Sequence, residues 1–338
     1  MEAVRKAKKI LNNPRDVVPE LIDGLVAAAG DGLRKLEQHQ VVVSNEMLPG
    51  KVGVLIGGGS GHEPMFPGFV GRNLADAAAC GNVFAAPDPE TILAATRAAN
   101  GGNGVLYVYG NYAGDNMNFD IAAEMAEDEG IPTRTVRVWD DIAVSRVEDR
   151  RGIAGDVCVI KIAGAAANQP GMTLDALYDI AVRARDNTCS LAVATSPGST
   201  PETGEPTFEL PDDELEIGMG AHGEPGVSRE KMQPADELCG KMVARIIEDL
   251  PFHQGDKVVL LINNLGSTTM MELLIVNRAV TGQLAQLGIE VHDTRIGSFI
   301  TTQEMGGFSV TLMKLDDELQ RYYDAPCSSF ALTTGGRS

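Results

Sequence analysis

Apolar runs of strand length alternate with helix-like stretches along most of this chain, and no other feature limits its fold as strongly. Residues 105–109 are predicted to form a buried strand. Residues 116–129 carry apolar side chains on one helical face and are predicted to form a helix that ends at Gly130. Repeated strand–helix–strand order favours parallel strands connected by crossover helices. The sequence therefore predicts an α/β protein.

The same alternation begins again in the second half of the chain. A loop at residues 196–211, rich in Ser, Pro, Thr and Gly, precedes further strands and helices, and the strand-like runs 294–300 and 309–314 complete a second sheet. Mixed strand directions are expected in that sheet. We predict two α/β domains, residues 1–187 and residues 188–338, each with a mostly parallel or mixed sheet flanked by helices, in keeping with about 150 residues per domain.

The charge balance narrows the kinds of partner. The chain has 28 Lys and Arg residues against 47 Asp and Glu residues, a formal net charge of −19. Such an acidic surface repels phosphate backbones and anionic substrates, so we expect no nucleic acid as a partner and a neutral substrate or a locally positive site. The longest apolar runs are strand-sized, as at residues 258–262, and the first residues lack the apolar core of a signal peptide. We expect a cytoplasmic protein without a membrane partner.

Cysteine and histidine usage restricts the possible chemistry. The five cysteines include no CxxC pair, so neither a disulfide framework nor a zinc site is indicated, and Cys158 in its apolar run is expected to be a buried thiol. The five histidines leave few candidates for a histidine-dependent reaction. Three of them, His39, His253 and His292, have no glycine-rich surroundings and are expected to be surface or structural residues.

A glycine-rich run, GGGSGHEP at residues 57–64, directly follows a predicted strand. Because glycines have no Cβ, successive backbone N–H groups can converge on an oxyanion or a hydroxyl. The run lacks the Gly-Lys-Ser/Thr of a Walker A loop and the spacing of the dinucleotide-binding motif. A tight strand-to-helix turn without further function would explain it, but His62 favours a ligand site at the carboxyl end of the strand.

Asp115 lies in a second such segment, GNYAGDN at residues 110–116, which also follows a predicted strand. Because Asp115 precedes an amphipathic helix, we expect it to be the helix N-cap. A capping carboxylate can also face a cleft and accept a proton from a substrate. The sequence therefore leaves both a capping role and a role as general base open.

His222 lies in a third glycine-rich segment, GMGAHGEPG at residues 218–226. Its neighbours offer little side-chain packing, so His222 is not a typical core histidine. A loop histidine without function is the simpler interpretation. The segment nevertheless favours an imidazole presented to a ligand on a closely approaching backbone.

Seven ordered blocks of sequence give the chain a resemblance to a known family. From about residue 9 to about residue 327 the chain resembles the K subunit of dihydroxyacetone kinase, the ketose-binding component, in the order and the spacing of these blocks. The blocks are GGGSGHEP, GNYAGDNMNF, WDDIAV with the subsequent Arg150-Arg151-Gly152, KIAGAAA, GAHGEPG, NNLG and LMKLDDE with DAP.

The resemblance implies two α/β domains, a homodimer and a small neutral ketose as the substrate. It implies that His222 forms a hemiaminal with the ketone carbon, that Asp115 is the general base for the attacking hydroxyl, and that His62 hydrogen-bonds the substrate. Backbone groups of Gly58 and Gly59 are implied to contact the substrate as well. Reversible covalent capture suits such a ligand, because a small polyol has little apolar surface to bury.

The resemblance also implies that the nucleotide is bound elsewhere. In this family a separate helical L subunit binds Mg–ATP, or holds a permanently bound ADP that is recharged with the help of a phosphocarrier M subunit. We therefore expect no cofactor and no metal in this chain, and kinase activity only together with an L-type partner.

Two positions depart from the family pattern. Gly110 takes the place of a lysine that usually reaches the substrate, and Phe66 takes the place of a common histidine. We expect dihydroxyacetone or a four-carbon ketose such as erythrulose to be phosphorylated at a primary hydroxyl. The alternative is a ketose-sensing coactivator of a transcription regulator without kinase activity. The lost lysine favours this alternative or a changed substrate, whereas the presence of Asp115 favours the kinase.

Overall fold

The computed structural model describes residues 6–335, and these residues form two units that are each α/β in architecture. The predicted fold class is therefore confirmed. The described segments divide between them as follows: the first unit contains residues 11–138, 156–185 and 317–335, and the second unit contains residues 6–10, 139–155 and 186–316.

The units differ from the two continuous domains that the sequence predicts. The predicted boundary at residue 187 lies beside one transition between the units, but each unit is assembled from separate segments. Residues 139–155 join the second unit, where the N–H of Ile142 donates to the carbonyl of Ser190. Residues 317–335 return to the first unit. Hydrogen bonds between segments distant in sequence build each unit, and local sequence patterns do not reveal such bonds.

Helices and strands alternate over residues 77–167 and 228–297 of the described chain, whereas strands follow one another directly over residues 33–83 and 188–231. In chain order they are α1 (Val17–Ala29), β1 (Leu33–Lys35), β2 (Val41–Ser44), β3 (Gly53–Ser60), β4 (Gly71–Arg72), β5 (Ala77–Val83), α2 (Pro89–Ala99), β6 (Val105–Gly110), α3 (Ala113–Asp128), β7 (Thr133–Val138), α4 (Gly155–Ala167), α5 (Leu174–Asp186), β8 (Thr188–Ser196), β9 (Glu214–Ile217), β10 (Ser228–Lys231), α6 (Ala235–Asp249), β11 (Lys257–Asn264), α7 (Met270–Gln286), β12 (Glu290–Gly297), β13 (Gly306–Leu315), α8 (Asp317–Asp324), β14 (Cys327–Ser329) and β15 (Thr333–Thr334).

The first unit is built, within the described residues, on a six-stranded sheet with the order β1-β2-β5-β3-β6-β7. Strand β3 is parallel to β5 and β6, and β6 is parallel to β7, whereas β1 and β2 pair antiparallel. The central strands are buried along most of their length and are correspondingly apolar. Leu55 and Tyr107 of these strands belong to one core cluster with Ile92 of α2 and Phe119 of α3. Burial of these large side chains holds both helices on the sheet.

The second unit has, in the part of the chain that the structure describes, a six-stranded mixed sheet with the order β10-β9-β8-β13-β11-β12. Strands β11 and β12 are parallel, and the other neighbouring pairs are antiparallel. The prediction of mixed strand directions is therefore confirmed. Helices α6 and α7 pack on this sheet through a core cluster that includes Met242, Val280 and Leu260. Strand β9 ends directly before the loop that carries His222.

The glycine-rich run differs most from its predicted structure. Residues 57–60 continue strand β3 instead of forming a turn, and a short 3₁₀ helix, Pro67–Phe69, and strand β4 follow in place of an α-helix. Glycine is normally weak in a strand interior, but here it allows a close approach of the neighbouring strand. A Cβ on Gly57 would lie 2.6 Å from the carbonyl oxygen of Ala79.

Other local predictions are resolved by the structure. Residues 157–162, for which both a strand and a helix were open, lie within helix α4. Helix α3 begins at Ala113 instead of residue 116. The first helix and the strands β1, β2 and β5 were not predicted, and β1 and β2 are only three and four residues long.

Three further observations cover the described residues as a whole. Among residues 6–335, none of the helices combines the length with the apolar composition that a membrane crossing needs. Over the same range, no group of three or more His, Cys, Asp or Glu side chains is arranged to hold a metal ion. Within the described residues the five cysteines are buried and no disulfide joins them, which confirms the prediction that Cys158 is a buried thiol.

Candidate functional site

Two strand ends lie side by side at one edge of the sheet in the first unit. Strand β3 contains Gly58 and Gly59, and its neighbour β6 ends at Gly110, shortly before Asp115. Because β3 and β6 are adjacent and parallel, their carboxyl ends share one edge, the place where open α/β sheets bind ligands. The fold thus brings together the first two segments that the sequence singles out.

The glycines of β3 are positions where neighbouring groups leave no room for a larger residue. A Cβ on Gly58 would lie 2.3 Å from the Phe66 ring, and one on Gly59 would lie 2.9 Å from the backbone nitrogen of Ala85. Close packing therefore explains why both positions are glycine. Their predicted contacts with a substrate stay a prediction.

His62 follows β3 and is only 4% exposed. Its ring packs against that of Phe84, with ring centroids 5.2 Å apart and planes tilted by 47°. The adjacent Glu63 accepts a hydrogen bond from the N–H of Gly61 at 2.9 Å, but burial outweighs this bond and raises the pKa of the Glu63 carboxyl. His62 is thus a buried imidazole that packs against an aromatic ring just after the end of β3, and its contact with a substrate stays a prediction.

Asp115 lies in the first turn of helix α3 and is 9% exposed. The N-cap of this helix is Tyr112, so the prediction that Asp115 is the N-cap is wrong. The first turn still favours a carboxylate, because its backbone N–H groups carry partial positive charge at the end of the helix dipole. A negatively charged acceptor held in this position suits a general base.

The two positions that depart from the family pattern belong to the same region. Gly110 is the buried last residue of β6, directly before the segment that leads to Asp115. Phe66 is also buried, and its ring lies against Gly58. Phe66 therefore gives this stretch of β3 an apolar neighbour where a histidine would give a polar one.

His222 lies in the second unit, in the loop after strand β9. Its Nδ1 is 3.0 Å from Oε1 of Glu224, and its backbone N–H donates to Oε2 of the same carboxylate at 2.9 Å. The hydroxyl of Thr302 donates to the carbonyl of Ala221 at 2.5 Å and holds the residue before the histidine. The His222 side chain is nevertheless 28% exposed. An imidazole held in one orientation but open to solvent is suited to presentation to a ligand.

Glu224 determines which nitrogen of His222 carries the proton. Burial raises the pKa of the Glu224 carboxyl, but the hydrogen bond and the charge interaction with His222 outweigh burial and lower the pKa to about 2. An ionised carboxylate only accepts hydrogen bonds, so the facing Nδ1 must be the protonated nitrogen. A neutral imidazole with its proton on Nδ1 has its lone pair on Nε2, which is the nucleophilic position.

Three residues that support this loop were not singled out from the sequence: Glu224, Arg151 and Asp141. The guanidinium of Arg151 lies 2.6 Å from Oδ2 of Asp141 and donates to the carbonyl of Gly218 at 3.0 Å. All three residues fall within the seven sequence blocks, in WDDIAV, in the arginine pair and in GAHGEPG. The signal was present, but a block does not indicate which of its side chains meet in the fold.

The structure divides the predicted site residues between the two units. The first unit holds Gly58, Gly59, His62 and Asp115, which share the edge formed by β3, β6 and the start of α3. The second unit holds His222 with its Glu224 partner. The first group offers a buried imidazole and a carboxylate, and the second offers an imidazole suited to nucleophilic attack.

Comparisons with known proteins extend the resemblance seen in the sequence. The model of the Dak1 domain matches residues 23–331. The chain is 43% identical to the PTS-dependent dihydroxyacetone kinase 2, dihydroxyacetone-binding subunit DhaK, of Listeria innocua, over 95% of this chain and 98% of that protein. It is 38% identical to the L-erythrulose kinase of Pectobacterium atrosepticum, over 97% of this chain but 57% of that protein.

Solved structures have the same fold. The dihydroxyacetone kinase of C. freundii matches with a TM-score of 0.89 and 33% identity, over 97% of this chain and 60% of that chain. The dihydroxyacetone kinase operon co-activator Dha-DhaQ matches with a TM-score of 0.87 and 31% identity, over 92% of this chain and 97% of that chain. The predicted family and the prediction of a kinase component are thereby confirmed, and the chain belongs to the Dak1 domain family of the dihydroxyacetone kinases.

Proposed function

We propose that this chain is the ketose-binding subunit of a two-component kinase of the dihydroxyacetone type. In this proposal His222 holds the ketose covalently, a primary hydroxyl of the ketose accepts the phosphoryl group, and a separate L-type subunit carries the donor. The observation that carries the proposal is the hydrogen bond between Nδ1 of His222 and the ionised carboxylate of Glu224. It leaves Nε2 as the nucleophilic nitrogen of the imidazole.

Capture of the ketose needs one new bond and one shift of a proton. Nε2 of His222 forms a C–N bond to the ketone carbon, while the π bond of the carbonyl breaks and its electron pair goes to oxygen. That oxygen gains a proton from solvent water, and the ring gives up the Nδ1 proton, which the adjacent Glu224 carboxylate relays to solvent, so that no net proton is taken up or released. The product is a neutral hemiaminal, which fixes a ligand with little apolar surface and rejects glycerol, since glycerol has no carbonyl.

Asp115 and His62 serve phosphoryl transfer and substrate binding in this proposal. Asp115 accepts the proton of the primary hydroxyl as its oxygen attacks phosphorus, and His62 hydrogen-bonds the ligand together with the backbone of Gly58 and Gly59. The burial of His62 and the place of Asp115 in the first turn of α3 support these roles. Phosphoryl transfer depends mostly on positioning and charge stabilisation, so a carboxylate held in place is a suitable contribution.

The partners follow from the same proposal. The L-type subunit binds Mg–ATP, or an ADP that a phosphocarrier M subunit helps to recharge, and this chain holds neither nucleotide nor metal. The relative from Listeria innocua is named as the binding subunit of a PTS-dependent kinase, which supports a donor on another chain. We propose further that the chain works as a homodimer in the cytoplasm.

A four-carbon ketose such as erythrulose is proposed as a substrate beside dihydroxyacetone. Gly110 removes the long cationic side chain that the family usually has next to the proposed base. The volume that the lysine side chain would fill, whether empty or occupied by water, can hold the additional hydroxymethyl group of a four-carbon ketose. The similarity to an L-erythrulose kinase supports this extension, although the chain spans only 57% of that protein.

A ketose-sensing coactivator without kinase activity is the second candidate. The chain aligns with 97% of the co-activator Dha-DhaQ, and Gly110 removes a substrate-binding cation that catalysis would use. A sensor needs the histidine that captures the ketose but no general base. Retention of both His222 and Asp115 therefore favours the kinase.

A phosphorylation assay separates the two candidates. The chain would be combined with a saturating L-type subunit and Mg–ATP, or with the phosphocarrier chain, and tested against dihydroxyacetone, both enantiomers of erythrulose, and glycerol. We expect phosphorylation of a ketose and none of glycerol. Formation of a ketose adduct without turnover under either donor would support the coactivator and contradict the kinase.

The isolated chain is expected not to bind Mg–ATP tightly and not to hydrolyse it. Its sequence contains no Walker A loop, and its glycine run is committed to strand β3, where Phe66 and Ala85 pack against the glycines. Titration calorimetry of the chain alone with Mg–ATP checks this, with the same titration of the L-type subunit as the positive control. A micromolar dissociation constant for the isolated chain would contradict the two-component proposal.

Gly110→Lys is expected to shift substrate preference towards dihydroxyacetone by about tenfold to a hundredfold. The restored ammonium group would offer a charged hydrogen bond worth about 1.5–3 kcal/mol and would fill the space proposed for the fourth carbon. The ratio of kcat/KM for erythrulose and dihydroxyacetone measures the shift. Gly282→Lys, on the exposed face of α7 with open space around its Cβ position, is the matched control. An unchanged ratio in Gly110→Lys would show that position 110 does not set specificity.

A further inference from the structure

We propose that Arg151, anchored by Asp141, is a positioning residue that orients Glu224 and thereby keeps the His222 imidazole in its Nδ1-protonated form. The inference rests on the proposed covalent role of His222. It gives a function to Arg151 and to Asp141 of the WDDIAV block, which the proposed chemistry does not use.

Asp141 fixes the guanidinium of Arg151 from one side. Both Nε and Nη2 of Arg151 approach Oδ2 of Asp141, at 2.9 and 2.6 Å, and Asp141 is fully buried. The other oxygen, Oδ1, accepts a hydrogen bond from the N–H of Ala143 at 3.0 Å. Burial raises the pKa of the Asp141 carboxyl to about 6, although the positive charge of Arg151 acts to lower it. Each carboxylate oxygen thus has a donor, and the planar guanidinium is held in one orientation.

Arg151 reaches the histidine loop with its remaining donors. Nη2 donates to the carbonyl of Gly218 at 3.0 Å, and Nη1 lies 4.0 Å from Oε2 of Glu224. The two charged groups meet over the backbone of Gly220, where a Cβ would lie 2.4 Å from Nη1 of Arg151 and 2.2 Å from Oε2 of Glu224. Glycine at position 220 is therefore required for this approach. Arg151 holds the start of the loop and attracts one oxygen of the carboxylate at the same time.

The two carboxylate oxygens of Glu224 therefore have different partners. Oε2 lies towards Arg151 and accepts from the backbone N–H of His222, and Oε1 faces Nδ1 of the ring. Rotation of the carboxylate would break this division and release the ring from its partner. Where a carboxylate orients a histidine, the loss of the correct tautomer removes most of the activity. Arg151 prevents that rotation through its fixed position.

The test uses two single variants and a matched control in the full chain. Arg151→Met removes the charge and the donors, and Arg151→Lys restores the charge without the planar fork. Arg150→Met changes the neighbouring arginine. Its guanidinium donates to Oδ2 of Asp249 at 2.9 Å and to the carbonyl of Val144, and both of these partners lie outside the histidine loop. If Arg151→Met fails to fold because it leaves Asp141 unbalanced, the double variant Asp141→Asn with Arg151→Met removes both charges.

Two measurements are made on each variant. Nitrogen-15 NMR of the ligand-free protein reports which nitrogen of His222 carries the proton. Carbon-13 NMR with dihydroxyacetone labelled at its carbonyl carbon reports the adduct, because that carbon changes from a carbonyl to a tetrahedral signal. We expect Nδ1 protonation in the wild type and in Arg150→Met, and a mixture of tautomers in Arg151→Met. The equilibrium constant for adduct formation should be about tenfold to a hundredfold lower in Arg151→Met than in the wild type. Arg151→Lys should lie between wild type and Arg151→Met.

The outcomes distinguish this proposal from the proposed function. An Arg151→Met protein that keeps the wild-type tautomer overturns the positioning role, whether or not its adduct is weakened. A wild type that forms no adduct with any ketose overturns the covalent role of His222, while the tautomer measurement, made without ligand, still decides whether Arg151 orients the ring.

Discussion

His222→Ala is expected to abolish covalent capture of dihydroxyacetone while the chain stays folded. The variant has no nitrogen that could attack the ketone carbon, and a polyol of this size has too little apolar surface for tight non-covalent binding. The fold should tolerate the change, because the ring packs in a glycine-rich loop and contributes mainly its hydrogen bond to Glu224. Such a bond to a charged group is worth about 1.5–3 kcal/mol, which corresponds to a fall in melting temperature of several degrees.

Carbon-13 NMR with the labelled ketose measures this effect directly. The tetrahedral signal should be present in the wild type and absent in His222→Ala. His253→Ala is the matched control, because His253 is an exposed histidine of the same unit outside the loop and should form the adduct normally. Retention of the tetrahedral signal in His222→Ala, or a soaked crystal in which the ketose lies beyond bonding distance of His222, would contradict the assignment.

Asp115→Asn is expected to lower the rate of phosphorylation by about a hundredfold to ten-thousandfold without preventing adduct formation. The amide keeps the size of the side chain in the first turn of α3 but does not accept a proton at neutral pH. The hydroxyl of the bound ketose would then have to lose its proton to solvent. Turnover would be measured with the L-type subunit saturating, and the adduct would be measured by the same NMR experiment.

Asp120→Asn provides the comparison on the same helix. Asp120 is an exposed residue of α3 that pairs with Arg137, so its loss should leave both turnover and the adduct unchanged. Turnover at the wild-type rate in Asp115→Asn would remove Asp115 from the chemistry. Equal losses of adduct and turnover would show that it binds the ketose instead of activating the hydroxyl.

The alternation of strands and helices was predictable because the apolar periods are local. The central strands of both sheets are continuous apolar runs, and the helices α2, α5 and α6 carry their apolar side chains on one face over their own lengths. The glycine run was not predicted as a strand, because its conformation depends on Ala79, Phe66 and Ala85, which pack against it in the fold. Glycines have no side chains, so the run lacks the apolar pattern by which a strand is usually recognised in a sequence.

The single residues of the candidate site could be predicted from the sequence, but the residues that hold them in position could not. His62, Asp115 and His222 each lie in a distinctive local segment, so a sequence motif is enough to find them. The segment with Asp141 and Arg151 reaches the histidine loop only because backbone hydrogen bonds, such as that from Ile142 to the carbonyl of Ser190, place it in the second unit. Such long-range pairing also explains why the units are not continuous segments.

The return of the chain to the first unit determines the order in which the protein can be completed during synthesis. Lys161 of α4 is buried and donates to the carbonyls of Tyr322 and Ala325 at 3.2 and 2.7 Å. Until these residues have left the ribosome, the ammonium group of Lys161 has neither acceptor, and burying it without them is costly. The segments of the second unit end at residue 316, whereas the first unit also requires residues 317–335 and is therefore the last to be finished. A nascent chain halted before residue 317 would therefore carry all segments of the second unit, whereas its first unit would lack helix α8 and the two acceptors of Lys161.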